Sequence, residues 1–167
     1  AEIGSPWGFK RMGVETIPPV FTRGILIDLA AHLGERPADG TVLSIEDFKR
    51  ALAQQGMSES DIKPGDALFW TIGNADLWFT DGDAYIAGTP GIERDTAEWI
   101  ASMGVGIVGF DSYTAEASPR SKNNISDVHG AFLCHRGVHM IINLHLGELA
   151  RKKAYRFAFS CATLPFV

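Results

Sequence analysis

The chain has 167 residues, 46% apolar and 21% charged, with a formal net charge of −5 and a sequence pI near 5.5. That is enough for one domain with a real core. Scattered Lys and Arg on an acidic chain argue against a nucleic-acid partner, and no apolar run approaches the roughly 20 residues of a membrane helix.

Residues 1–22 are rich in Gly and Pro, and Pro18-Pro19 forbids a helix, so an irregular N-terminal arm is expected there. Residues 23–167 are expected to form a single α/β domain. Gly24 to Ala30 is a short apolar run, expected to be a buried strand with Asp28 inside it. Ser44 followed by Glu46 and Asp47 starts a helix, with Ile45, Phe48 and Leu52 on one face and Gly56 as the stop. Lys63 to Asp66 makes a turn before a strand over Ala67–Ile72. Residues 73–91 are expected to be a long loop or short helical turns.

Glu93–Met103 predicts a helix with Thr96, Trp99, Ile100 and Met103 on one side, ended by Gly104. A strand follows over Val105–Phe110. Ser126 or Asp127 can cap a helix reaching about Arg136, where Gly137 ends it. A strand over Val138–Asn143, a short helix over Gly147–Lys153 and a last strand over Tyr155–Thr163 complete the chain. Arg151, Lys152 and Lys153 read as a helix C-terminus facing water. Strand and helix alternate about four times, which predicts an α/β fold with a mostly parallel sheet flanked by helices.

Such sheets place sites beyond the carboxyl ends of their strands. Asp111 and Asn143 stand at two such ends. His129 follows Asp127 near a helix start, so Asp111 and His129 are the candidate site residues from position alone. His135 and His139 are four apart, but Gly137 lies between them and breaks any shared helical face. Cys134 and Cys161 lack the paired close spacing of zinc ligands, and the expectation is a buried reduced pair in a cytoplasmic protein. Gly104-Val-Gly-Ile-Val-Gly109 opens a strand rather than a helix, so it cannot cradle a dinucleotide phosphate. The aromatic group Trp7, Phe9, Phe69, Trp70, Trp78, Phe79 and Tyr85 serves as core or lines an apolar ligand pocket.

In chain order, several segments together resemble the cyclase, or kynurenine formamidase-like, family of metal-dependent hydrolases. They are Ile17–Asp28, Ile62–Gly73, Pro90–Ile92 leading into Thr96–Ile100, Gly104–Asp111, Glu116, Val128-His129, Asn143–Leu146 and Leu164-Pro165. The resemblance implies a swivelling β/β/α fold. It implies hydrolysis of a small amide, lactone or other cyclic C–N or C–O bond, with zinc or manganese polarising the carbonyl and supplying a hydroxide. By the same resemblance, His129 is a metal ligand, and Phe69, Trp70 and Asp111 contact a small-molecule substrate. A cytoplasmic homo-oligomer is also implied.

Two departures qualify these expectations. Most of the family's ligands, and its general base, come from an H-x-G-T-H-x-D-x-P-x-H motif, which this sequence lacks and which would fall before Ala1. The domain is therefore expected to be truncated at both ends, and the chain by itself to be inactive even with added metal. Ile142 stands where the resemblance places a glutamate ligand, and isoleucine cannot bind metal. The alternative expectation is a non-catalytic member of the same fold that binds a small molecule or serves in assembly.

Overall fold

The computed structural model describes residues 4–5, 8–9, 16–119 and 127–164. Two short strands come first: β1 (Gly4–Ser5) pairs antiparallel with β2 (Gly8–Phe9). Then follow β3 (Val20–Asp28), α1 (Leu29–Leu33), α2 (Ile45–Gln54), β4 (Ala67–Thr71), α3 (Ala75–Thr80), α4 (Gly82–Ala87), α5 (Arg94–Ser102) and β5 (Ile107–Phe110). After these come α6 (Asp127–His129), a π-helical segment (Gly130–Arg136), β6 (His139–Ile141), α7 (Gly147–Arg151) and β7 (Arg156–Cys161).

Strands β3 to β7 form one five-stranded sheet in the order β6-β5-β4-β3-β7. The pairs β3–β4, β4–β5 and β5–β6 are parallel, and β7 joins β3 antiparallel. The fold is thus the expected α/β type with a mostly parallel sheet. Central β4 is buried at all five positions, as a strand covered on both faces must be. Its side chains alternate between two cores. Leu68 and Trp70 face α2, α5 and the π-helical segment, packing with Phe48, Ile100, Phe110 and Phe132. Ala67 and Phe69 face the other side, with Leu26, Ile107, Leu146 and the partly buried Leu149, Phe157 and Phe159.

Local signals explain the helices. Ser44 and Asp47 form a reciprocal capping box, with the Asp47 N–H donating to Ser44 Oγ at 3.3 Å and the Ser44 N–H to Asp47 Oδ2 at 2.8 Å. Phe48, Ala51 and Leu52 then bury one face of α2. Helix α5 buries Thr96 and Ile100 and keeps Trp99 and Met103 half-buried, as its apolar spacing predicts.

Several expectations need correction. The first core strand starts earlier, at Val20, and ends at Asp28, so residues 20–22 of the expected arm belong to the sheet. Asp28 is in the strand, as expected, but as its last residue, paired with Thr71; its Oδ1 also accepts from the Ala31 N–H at 3.0 Å and caps α1. The expected helix up to Arg136 is only one α turn, Asp127–His129, followed by π winding that stops at left-handed Gly137. Ser126, the other cap candidate, and Trp7 lie outside the described residues. Cys134 is exposed and Cys161 half-buried, so the two are free thiols but not a buried pair. Among the described residues no helix is long and apolar enough to cross a membrane.

Trp70 is 1% exposed, stacks on Phe110 at 4.8 Å between ring centroids and meets Phe48 edge-on at 5.8 Å. Trp70→Ala should therefore destabilise the protein by about 3–5 kcal/mol, measured by urea unfolding. A loss below about 1 kcal/mol would contradict this packing.

Candidate functional site

The carboxyl edge of the parallel sheet is organised by Asp111, the first residue after β5. Its carboxylate accepts from Thr71 Oγ1 at 2.7 Å, the Ile72 N–H at 3.0 Å and the Asn74 N–H at 2.9 Å. These donors all belong to the turn leaving β4. Burial pushes the Asp111 carboxyl up, and the hydrogen bonds from Ile72, Thr71, Asn74 and Ala75 oppose that rise. Asn74 is itself fully buried; its Oδ1 accepts from Arg36 Nε at 2.8 Å, and its Nδ2 has no hydrogen-bond partner among the described residues. Arg36 also reaches Asp39 at 2.6 Å.

The segment after Asp111 supplies a second carboxylate. Buried Glu116 lies against His129 at the end of α6, with Nδ1 at 2.8 Å from Oε1 and 2.9 Å from Oε2. The His129 backbone N–H also donates to Oε1 at 3.2 Å, and Thr114 Oγ1 donates to Oε2. Burial pushes the Glu116 carboxyl up, but the hydrogen bonds from Thr114 and from the His129 ring and backbone outweigh it, leaving it below the ordinary glutamate range. Glu116 is therefore an ionised acceptor at neutral pH. The His129 side chain is 36% exposed, and its Nε2 has no hydrogen-bond partner among the described residues.

Beside this edge lies a cavity of about 260 Å³ lined by Ala75, Trp78, Phe79, Tyr85, Asn143, Leu144 and His145. Trp78 and Phe79 are exposed, and Trp78 meets Tyr85 edge-on at 5.3 Å. Tyr85 is buried, and burial followed by the nearby Asp111 charge raises its phenol pKa. It stays a donor, giving a 2.6 Å hydrogen bond to Asn143 Oδ1. Asn143 adopts a left-handed backbone, φ 59°, a conformation that asparagine tolerates better than most residues.

The residues expected to form one site are thus divided. Phe69 and Trp70 lie in the two cores, 2% and 1% exposed, and neither lines the cavity. Asp111 directs its acceptors to the β4 turn, and no hydrogen bond joins it to His129. Of the aromatic group, Trp78, Phe79 and Tyr85 reach the cavity. Ile142 is 42% exposed, next to Asn143. Thr114, the role of Glu116, and the Tyr85–Asn143 bond had no periodic signal; the spacing Thr114-x-Glu116 just beyond a strand end is the one hint available in the sequence.

A profile of the cyclase family, described as Putative cyclase, matches residues 2–117. The chain belongs to the cyclase family. Solved structures agree on the fold. One described as a novel cyclase is 27% identical with a TM-score of 0.80, covering 93% of this chain and 53% of that one. Isatin hydrolase A from Labrenzia aggregata, bound to benzyl benzoate, is 15% identical with a TM-score of 0.70, covering 97% and 61%. A structure described as a potential metal-dependent hydrolase with cyclase activity is 20% identical with a TM-score of 0.51, covering 77% and 51%. The chain therefore spans little more than half the length of the cyclase-family structures it matches. A comparison with curated proteins finds no match.

The described residues do not fit a metal centre on their own. No three His, Cys, Asp or Glu side chains among them come together to hold an ion. His129 offers one nitrogen, Glu116 has its oxygens engaged by His129 and Thr114, and Ile142 offers no donor.

Two outcomes follow from this geometry. Asp111→Ala leaves three buried donors of the β4 turn without their acceptor and should cost about 3 kcal/mol or more in urea unfolding. The Glu116 carboxyl has a folded pKa below its unfolded value of about 4.3, so its stabilisation is present above that pH and is lost as pH falls through the lower folded value. Stability curves against pH should show this acid limb in the native protein and a shallower one in Glu116→Gln; identical limbs would count against the pairing.

Proposed function

We propose that the protein carrying this chain is a cyclase-type hydrolase of a small amide, lactone or other cyclic C–N or C–O bond, assisted by zinc or manganese. The observation that carries this reading is His129. It closes α6, with one ring nitrogen engaged by an ionised glutamate and the other without a partner among the described residues. In the reading, His129 is one metal ligand, and the remaining donors come from outside the described residues. Phe69, Trp70 and Asp111 shape the edge of the sheet from behind, while the Trp78, Phe79 and Tyr85 cavity receives the substrate's apolar part. A cytoplasmic homo-oligomer belongs to the same reading, and light scattering that finds only monomer at high concentration would count against that component.

Exposed Ile142 favours a second reading, a non-catalytic member that binds a small molecule in the aromatic cavity. An isoleucine with 42% exposure is under little packing demand, so nothing in the core requires it in place of a carboxylate.

The two readings separate on the full-length gene product. Elemental analysis for zinc and manganese, with turnover of an aryl formamide, a lactone and isatin, should find bound metal and an activity that EDTA and His129→Ala both abolish. A metal-free, inactive protein that still binds aryl compounds would establish the second reading. Ile142→Glu, at an exposed site, should change stability by less than about 0.5 kcal/mol and raise metal affinity; an unchanged affinity would show that position 142 does not face the ion.

A further inference from the structure

We infer that Glu116 is a positioning residue for His129, fixing its imidazole as the Nδ1–H tautomer with the lone pair on Nε2, and that Gly91 is the backbone position that makes this possible. The use of that lone pair, as ligand or proton acceptor, rests on the hydrolase reading; the geometry does not.

The tautomer follows from the partners. An ionised carboxylate has acceptors and no donor, so a ring nitrogen 2.8 Å and 2.9 Å from its two oxygens must carry the proton. A bare Nδ1 would set two lone pairs against each other. A neutral imidazole holds one proton, so Nε2 is left with the lone pair. Carboxylate–histidine pairs of this kind orient metal-binding and proton-transferring histidines generally. Here the same carboxylate also takes the His129 backbone N–H, which ties the ring to its own main chain. Thr114 Oγ1 donates to Oε2 and gives the carboxylate a further anchor.

The Glu116 backbone is placed by a close approach. Residues 89–92 run between two other segments. On one side Leu43 N–H donates to the Gly91 carbonyl at 2.7 Å and Gly91 N–H to the Thr41 carbonyl at 3.0 Å. On the other, Ile92 N–H donates to the Ala115 carbonyl at 2.8 Å, and Thr89 and Ser118 exchange bonds of 2.7 and 2.8 Å. A Cβ on Gly91 would lie 2.3 Å from the Glu116 carbonyl carbon, 2.4 Å from the Ala117 nitrogen and 2.5 Å from the Ala115 oxygen. All three are backbone atoms and cannot turn aside. A side chain at position 91 must therefore displace the 115–117 segment, and with it the Glu116 backbone that sets the carboxylate against His129.

The test is long-range nitrogen NMR on the full-length protein labelled with 15N-histidine, metal-stripped and without substrate, at an alkaline pH where the protein stays folded. His129→Ala assigns the resonance. The native ring should favour Nδ1–H by about tenfold or more, the ratio that one charge-assisted hydrogen bond sustains. Glu116→Gln should lose that preference, because its amide can donate to Nδ1, and Glu116→Asp should recover part of it. Gly91→Ala, with a native circular dichroism spectrum, should lose it as Glu116→Gln does. A native ring that favours Nε2–H, or a Glu116→Gln ring that keeps full Nδ1–H preference, overturns the inference. Should Gly91→Ala fail to fold, the native and Glu116→Gln spectra still decide. Absence of bound metal and of turnover would sink the hydrolase reading and leave this tautomer standing; the wrong tautomer would sink this inference alone.

Discussion

The carboxyl edge of the sheet depends on one buried carboxylate. Asp111 leaves β5 and collects the hydroxyl and the two N–H groups of the turn that leaves β4. Two neighbouring parallel strands are thereby tied at the ends where their chains diverge. On the β4 side hang α3 and α4, which carry the aromatic wall of the cavity. On the β5 side runs the segment that ends in Glu116. A residue without an acceptor at 111 would leave several buried donors unanswered, which gives this carboxyl a structural role even in a place where catalytic acids are usually found.

The edge then divides its labour. Glu116 and His129 make a polar pair held by main-chain contacts, and Trp78, Phe79 and Tyr85 make an aromatic hollow beside Asn143. The polar pair has the geometry of a working histidine, whereas Ile142 removes one carboxylate that the family resemblance expects.

Much of the fold was readable from the sequence, for identifiable reasons. β4, α2 and α5 carry strong local signals: an unbroken apolar run, a Ser44–Asp47 cap, and apolar residues at helical spacing. Asp28 stands in its strand as expected, but its second role as the cap of α1 was not visible, because an acid closing an apolar run looks the same whether or not a helix follows it. Over residues 73–91 the sequence leaves a long loop and short helical turns both open, because α3 and α4 are too short to show a period; the structure has the short helices. The antiparallel direction of β7 is a property of pairing and leaves no mark on β7 alone. In the site, His129 and Asp111 could be named from their places after a helix start and a strand end. Their partners could not, because Glu116 lies 13 residues from His129 and the Asp111 donors lie 37 to 40 residues away. Position along the chain reveals which groups are polar; only the fold reveals which of them are already satisfied.

The antiparallel pairing of β7 also ties together two distant points of the chain. Val20, where the sheet is entered, lies directly opposite Cys161, where it is left. Incoming and outgoing chain therefore meet at a single corner, one strand spacing apart, about 4.8 Å. A strain placed on the chain where it enters at Val20 is therefore felt directly at Cys161, because the two positions share one edge of the sheet.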